Sequence, residues 1–131
     1  MSEPQLRRAA APVVVVGYSA TAEGRAALDR AVLEARLRHA ELIVVHTAPD
    51  PELTELTATL HAAGVPHQIR SASDPLDPAD ELITTAEATN AEFIVIGLRR
   101  RSPVGKLLLG SNAQRVLLDA SCPVLAVKSA T

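Results

Sequence analysis

Apolar residues in this chain fall into short unbroken runs, separated by stretches in which they recur every three or four positions. Val13 to Tyr18 is a β-branched run without polar alternation, the pattern of a strand buried on both faces. Leu42 to His46 is a second buried run and Phe93 to Gly97 the next strand. Pro123 to Lys128 is the final strand, its proline suiting an edge, and His67 to Ser71 is more polar and suits the other sheet edge. Helical spacing fills the intervals. Thr21 can cap a helix running to about His39, with Leu28, Ala31, Val32 and Ala35 along one side. Leu53, Leu56, Leu60 and Ala63 predict a second helix over Pro51 to Ala63, stopped by Gly64. Asp77-Pro78 has the form of an N-cap followed by proline at the first helical position. That helix continues through Leu82, Ile83 and Ala86 to about Asn90, and Ser111 opens a last one ending near Asp119.

The order is therefore β-α-β-α-β-α-β-α-β. Buried strands alternating with helices argue for a parallel sheet covered on both faces, and right-handed crossovers leave few topologies. Ligands of such folds bind beyond the carboxyl ends of the strands, near the point where strand order reverses. The exits at Gly17-Tyr18-Ser19, His46-Thr47 and Gly97-Leu98-Arg99 all lie on that rim. Residues 1–11 read as a flexible tail and residues 12–131 as a single domain.

Composition narrows the possible partners. At 131 residues the chain can bury one sizeable core, and 47% hydrophobic against 21% charged residues excludes a disordered chain. Aromatic residues make up only 2%, so aliphatic side chains must fill the core and bases have little to stack on. A net charge of −2 gives no global attraction to nucleic acid or membrane. The apolar run after Arg7-Arg8 is too short for a span or a signal peptide, and the expected location is cytoplasmic. Cys122 stands alone, without an internal disulfide partner or metal-ligand spacing, and reads as a buried, unreactive thiol.

The chemistry concentrates between Ile94 and Gln114. A buried run leaves at Gly97, crosses Arg99, Arg100, Arg101 and Lys106, and enters a helix through Gly110-Ser111. Bare N–H groups at a helix start favour anions, and guanidinium groups nearby can neutralise a polyphosphate. The plainer explanation is structural. Ser111 and Gln114 have the spacing of a capping box, and a charge run is commonly a solvated loop. The spacing is neither a P-loop nor a dinucleotide fingerprint. No Ser-His-Asp set follows from spacing, and His39, His46, His61 and His67 fall where packing or surface roles are expected.

Gly97, then Gly110-Ser111, a helix and the closing Ser121-Cys122-Pro123-Val124-Leu125-Ala126-Val127-Lys128 resemble the universal stress protein family. The resemblance runs from Val13-Val14-Val15-Val16-Gly17-Tyr18 onward and includes His46 after the aliphatics of the second strand. It implies a Rossmann-like, three-layer α/β sandwich similar to the adenine nucleotide alpha hydrolases. Five parallel strands in the order 3-2-1-4-5 carry four helices. The family's ATP-binding branch has a motif of the form G-x2-G-x9-G-[ST], which Gly97, Gly110 and Ser111 match. That branch implies Gly97 near the ribose, Gly110, Ser111 and Asn112 against phosphates, and the Thr47 backbone against adenine.

The implied nucleotide site comprises Gly17, Tyr18, Ser19, Thr47, Gly97, Leu98, Arg99, Arg100, Gly110, Ser111, Asn112 and Ala113, with ATP as ligand, with or without Mg2+. Two positions depart from the pattern. Arg100 replaces the middle glycine, and Ser19 stands where an acid usually follows the first strand. Losing that acceptor weakens binding by about 1–3 kcal/mol in an otherwise unchanged site. The family resemblance also implies a homodimer paired through Val124, Leu125, Ala126 and Val127. The expected function is nucleotide-responsive stress binding with little or no hydrolysis, the alternative being a dimeric interaction protein that has lost the nucleotide. Neither reading involves nucleic acid or membrane.

Overall fold

The computed structural model describes residues 11–47, 50–72, 77–100 and 107–129. Of the expected tail over residues 1–11 all but Ala11, together with the basic positions Arg101 and Lys106, lies outside the described residues. The elements in chain order are β1 (Val13–Tyr18), α1 (Ala22–Arg38), β2 (Glu41–His46), α2 (Asp50–Ala63), β3 (His67–Ser71), α3 (Pro78–Thr89), β4 (Phe93–Arg100), β5 (Leu107–Leu108), α4 (Ser111–Asp119) and β6 (Val124–Lys128).

Five strands form one parallel sheet in the spatial order β3-β2-β1-β4-β6, as the resemblance implies. The sixth, β5, pairs antiparallel with the far end of β4, Arg99 opposite Leu108 and Arg100 opposite Leu107. Sequence reading ended the fourth strand at Gly97 and took Leu107-Leu108 for loop. The strand runs on because this return segment supplies partners for its backbone, a long-range pairing that no local periodicity marks.

Alternate residues of each central strand feed two separate cores. Val14, Val16, Leu42, Val44 and Val95 face one side with α1 and α2, where Ala27, Leu28, Ala31, Leu56 and Leu60 meet them. Val13, Val15, Ile43, Val45, Ile94 and Ile96 face the other, with Ala79, Leu82 and Ala86 of α3 and Val116 of α4. Burial on both faces explains the unbroken apolar runs. The polar strand β3 lies at one edge, as expected, and at the other edge Val124, Leu125, Ala126 and Val127 stay half-buried.

Helix ends follow the capping rules in part. Thr21 Oγ1 accepts from the Gly24 amide at 3.1 Å, a regular N-cap. His39, Gly64 and Asn90 take left-handed backbone and end α1, α2 and α3. Asp77 holds the N-cap place before Pro78 but makes no capping bond. Its carboxylate instead accepts two bonds from Arg115 Nη1, at 2.8 and 3.0 Å. A charged, two-point partner on α4 outcompetes a single backbone amide. Arg115 also bonds Asp80, and these carboxylates raise the guanidinium's pKa further above its ordinary value, the Asp80 bond foremost.

Candidate functional site

The sheet opens at its carboxyl end. The β1–β4 ladder stops at Val16 opposite Val95, while β1–β2 continues to Tyr18 opposite His46 and β4–β6 to Leu98 opposite Lys128. Strand order reverses between β1 and β4, because the chain fills β2 and β3 on one side before crossing to β4 and β6. A cleft of about 310 Å³ occupies that gap, large enough to admit a small ligand. Its wall comprises Gly17, Tyr18, Ser19, Glu23, Gly24, Val45, Thr47, Pro78, Leu82, Ile96, Gly97, Asn112, Ala113 and Val116. The first turns of α1, α3 and α4 all border it, so three helix starts meet there.

Seven of the candidate residues share this wall: Gly17, Tyr18, Ser19, Thr47, Gly97, Asn112 and Ala113. Gly110 and Ser111 precede Asn112 at the exposed start of α4. Leu98 is half-buried in β4, packs toward the α3/α4 core and accepts from the Ser129 amide at 3.2 Å. Arg99 is exposed and its Nε lies 3.6 Å from Glu23 Oε2. Arg100 closes β4 through its backbone pairing with Leu107.

The two glycines of the motif are used differently. Gly97 neither turns the chain nor has a special dihedral angle. A Cβ there would sit 2.1 Å from the Glu23 carbonyl oxygen, so its bare Cα lets the first turn of α1 rest on β4. Gly24 is equally tight, with Ser19 O at 2.1 Å from the same hypothetical atom. At Gly110 a Cβ would meet nothing within 4 Å among the described residues. Gly110, not Ser111, is the N-cap of α4, and no side chain caps it. The expected capping box is therefore absent. The Gln114 amide donates to Gly110 O at 3.0 Å, and Gln114 Nε2 lies 3.5 Å from Leu109 O.

Polar groups along the wall are partly committed. Ser19 Oγ and Thr21 Oγ1 share a hydrogen bond of 2.8 Å. The Thr47 amide donates to Tyr18 O at 3.3 Å, so the part of its backbone that could face a base is the carbonyl. Asn112 Oδ1 accepts from the Ala79 amide at 3.3 Å and ties the starts of α3 and α4 together. Burial pushes the Tyr18 phenol above its ordinary pKa against the pull of Arg25, with Glu55 and Glu52 adding to the rise, so it stays a neutral hydroxyl. Among the described residues no group of three or more His, Cys, Asp or Glu side chains could hold a metal. Burial likewise raises the Cys122 thiol.

Glu23 is the charged wall residue that sequence reading missed. An acid in a first helical turn carries no special signal, because the helix dipole alone explains it. Only its contact with Gly97, far along the chain, brings it to the cleft.

Fold and cleft together define a doubly wound α/β domain with its site at the switch point. Residues 55–128 match the model of the universal stress protein family. A universal stress protein of Mycolicibacterium smegmatis is 45% identical over 127 residues, covering 88% of this chain and 97% of that protein. The universal stress protein of Archaeoglobus fulgidus in complex with dAMP superposes with TM-score 0.62 at 27% identity, over 90% of this chain and 98% of that one. A universal stress protein in complex with cAMP gives 0.65 at 26% identity, over 90% and 97%. This chain belongs to the universal stress protein family. Among the described residues no helix is long and apolar enough to cross a membrane.

Proposed function

We infer that the cleft binds an adenine nucleotide, ATP by preference, and that the protein is a cytoplasmic, nucleotide-responsive homodimer of the stress response. The observation that carries this reading is the start of α4, which has no side-chain cap and is exposed at Gly110 and Ser111, beside the switch-point cleft. Exposed N-terminal amides with room before them suit phosphate. The base would lie toward the Thr47 carbonyl, the ribose beside Gly97, and the phosphates across Gly110, Ser111 and Asn112. Arg99 and Arg100, at the end of β4, would help to neutralise them. A Mg2+ ion would arrive bound to the phosphates, since such ions need few protein ligands. The complexes of two family members with dAMP and cAMP support the ligand class. The half-buried edge of β6 supports pairing through Val124, Leu125, Ala126 and Val127.

Heating the protein with and without ATP tests the site. Ligand at about 100 times its Kd adds ~2.7 kcal/mol, a rise of several degrees for a domain of this size. No rise at millimolar ATP removes the nucleotide and leaves the interaction-protein reading. Leu125→Lys places a charge on the edge strand and should convert dimer to monomer in sedimentation. An unchanged dimer would move the interface elsewhere.

A further inference from the structure

We propose that Glu23 reads the ribose, making the cleft selective for ribonucleotides over their 2′-deoxy forms. The inference rests on the nucleotide reading of the same cleft. Among the described residues Glu23 is the one lining residue that carries a carboxylate, its side chain 20% exposed. Its backbone is pinned from two directions: its carbonyl lies on Gly97, and the following Gly24 lies on Ser19. The Thr21 cap closes the same turn. With its backbone fixed, the residue has only side-chain torsions left to order when it takes a ligand.

The chemistry matches a pair of neighbouring hydroxyls. An ionised carboxylate only accepts, and two oxygens can serve two donors at once. Acids beside a nucleotide cleft in doubly wound folds use that property on ribose. Ser19 cannot take the role, because a single hydroxyl oxygen already shared with Thr21 has no second acceptor atom to offer. Glu23 Oε2 is only loosely engaged: at 3.6 Å its contact with Arg99 is an ion pair and not a hydrogen bond. That guanidinium also offsets the charge, so the carboxylate does not repel phosphates bound further along at α4. The acid that the sequence lacks after β1 is thereby supplied from the next helix.

Calorimetric titration of ATP and 2′-deoxy-ATP into the parent, Glu23→Gln and Arg99→Gln tests this. The parent should prefer ATP about tenfold, the difference expected for one charge-assisted bond. Glu23→Gln should bring the ratio below about threefold, since a neutral amide offers one weaker acceptor. Arg99→Gln breaks the same ion pair and should lower both affinities while keeping the ratio. A ratio unchanged in Glu23→Gln, or lost equally in Arg99→Gln, overturns the assignment while nucleotide binding stands. Failure of the parent to bind either nucleotide overturns both.

Discussion

Two helices begin on the rim of the same cleft and are finished in opposite ways. The start of α1 is sealed by protein: Thr21 caps it, Gly24 lies on Ser19, and the Glu23 carbonyl rests on Gly97. The start of α4 is exposed, with a glycine N-cap, no side-chain cap and, among the described residues, nothing within 4 Å of a Cβ placed on that glycine. Helix starts expose amides that need partners. Where the chain supplies the partner, the residues are structural and changes there cost stability. Where it does not, a ligand can, and changes cost binding. The G-x2-G-x9-G-[ST] pattern thus joins one glycine of each kind.

The largest predicted effect lies on the sealed side. Gly97→Val forces a branched side chain into the Glu23 backbone and should cost about 3 kcal/mol or more, read as a lower midpoint in urea. The same substitution on the open side reverses the balance. Gly110→Val should leave stability within about 0.5 kcal/mol, yet weaken ATP binding about tenfold or more by blocking phosphate at the amides. If both variants unfold alike, the two helix starts are not different in kind. If Gly110→Val binds ATP like the parent, the phosphates lie elsewhere.

Smaller effects sharpen the contrast. Thr21→Ala removes the cap of α1 and the partner of Ser19, and should lower stability by about 1 kcal/mol in denaturant titration. Gln114→Ala should change stability by less than about 0.5 kcal/mol, because the box that would make it a cap residue is not formed. A loss as large as that of Thr21→Ala would restore the capping box and close the open start.

Most of the architecture was legible because its signals are local. Val13 to Val16 announces a strand buried twice over, Thr21 a cap, and Gly64 and Asn90 helix ends, each by chemistry acting within a few residues. The misses share a cause. Ser111 with Gln114, and Asp77 with Pro78, carry capping signatures, but Arg115 claims the Asp77 carboxylate from another helix. Leu107 and Leu108 become strand only because β4 lies alongside them. Glu23 looks like any acid in a first turn until Gly97 meets it.

Sequence alone therefore determined the alternation of elements, the double-sided burial of the central strands and the rim where a ligand would enter. These follow from side-chain polarity and backbone preference read over short windows. Tertiary structure decided which helix start is closed and which open, why Gly97 must be glycine, and that an acid stands in the cleft. Those are contacts between residues far apart in the chain, and hard-core repulsion at 2 Å leaves no trace in the identity of either partner taken alone.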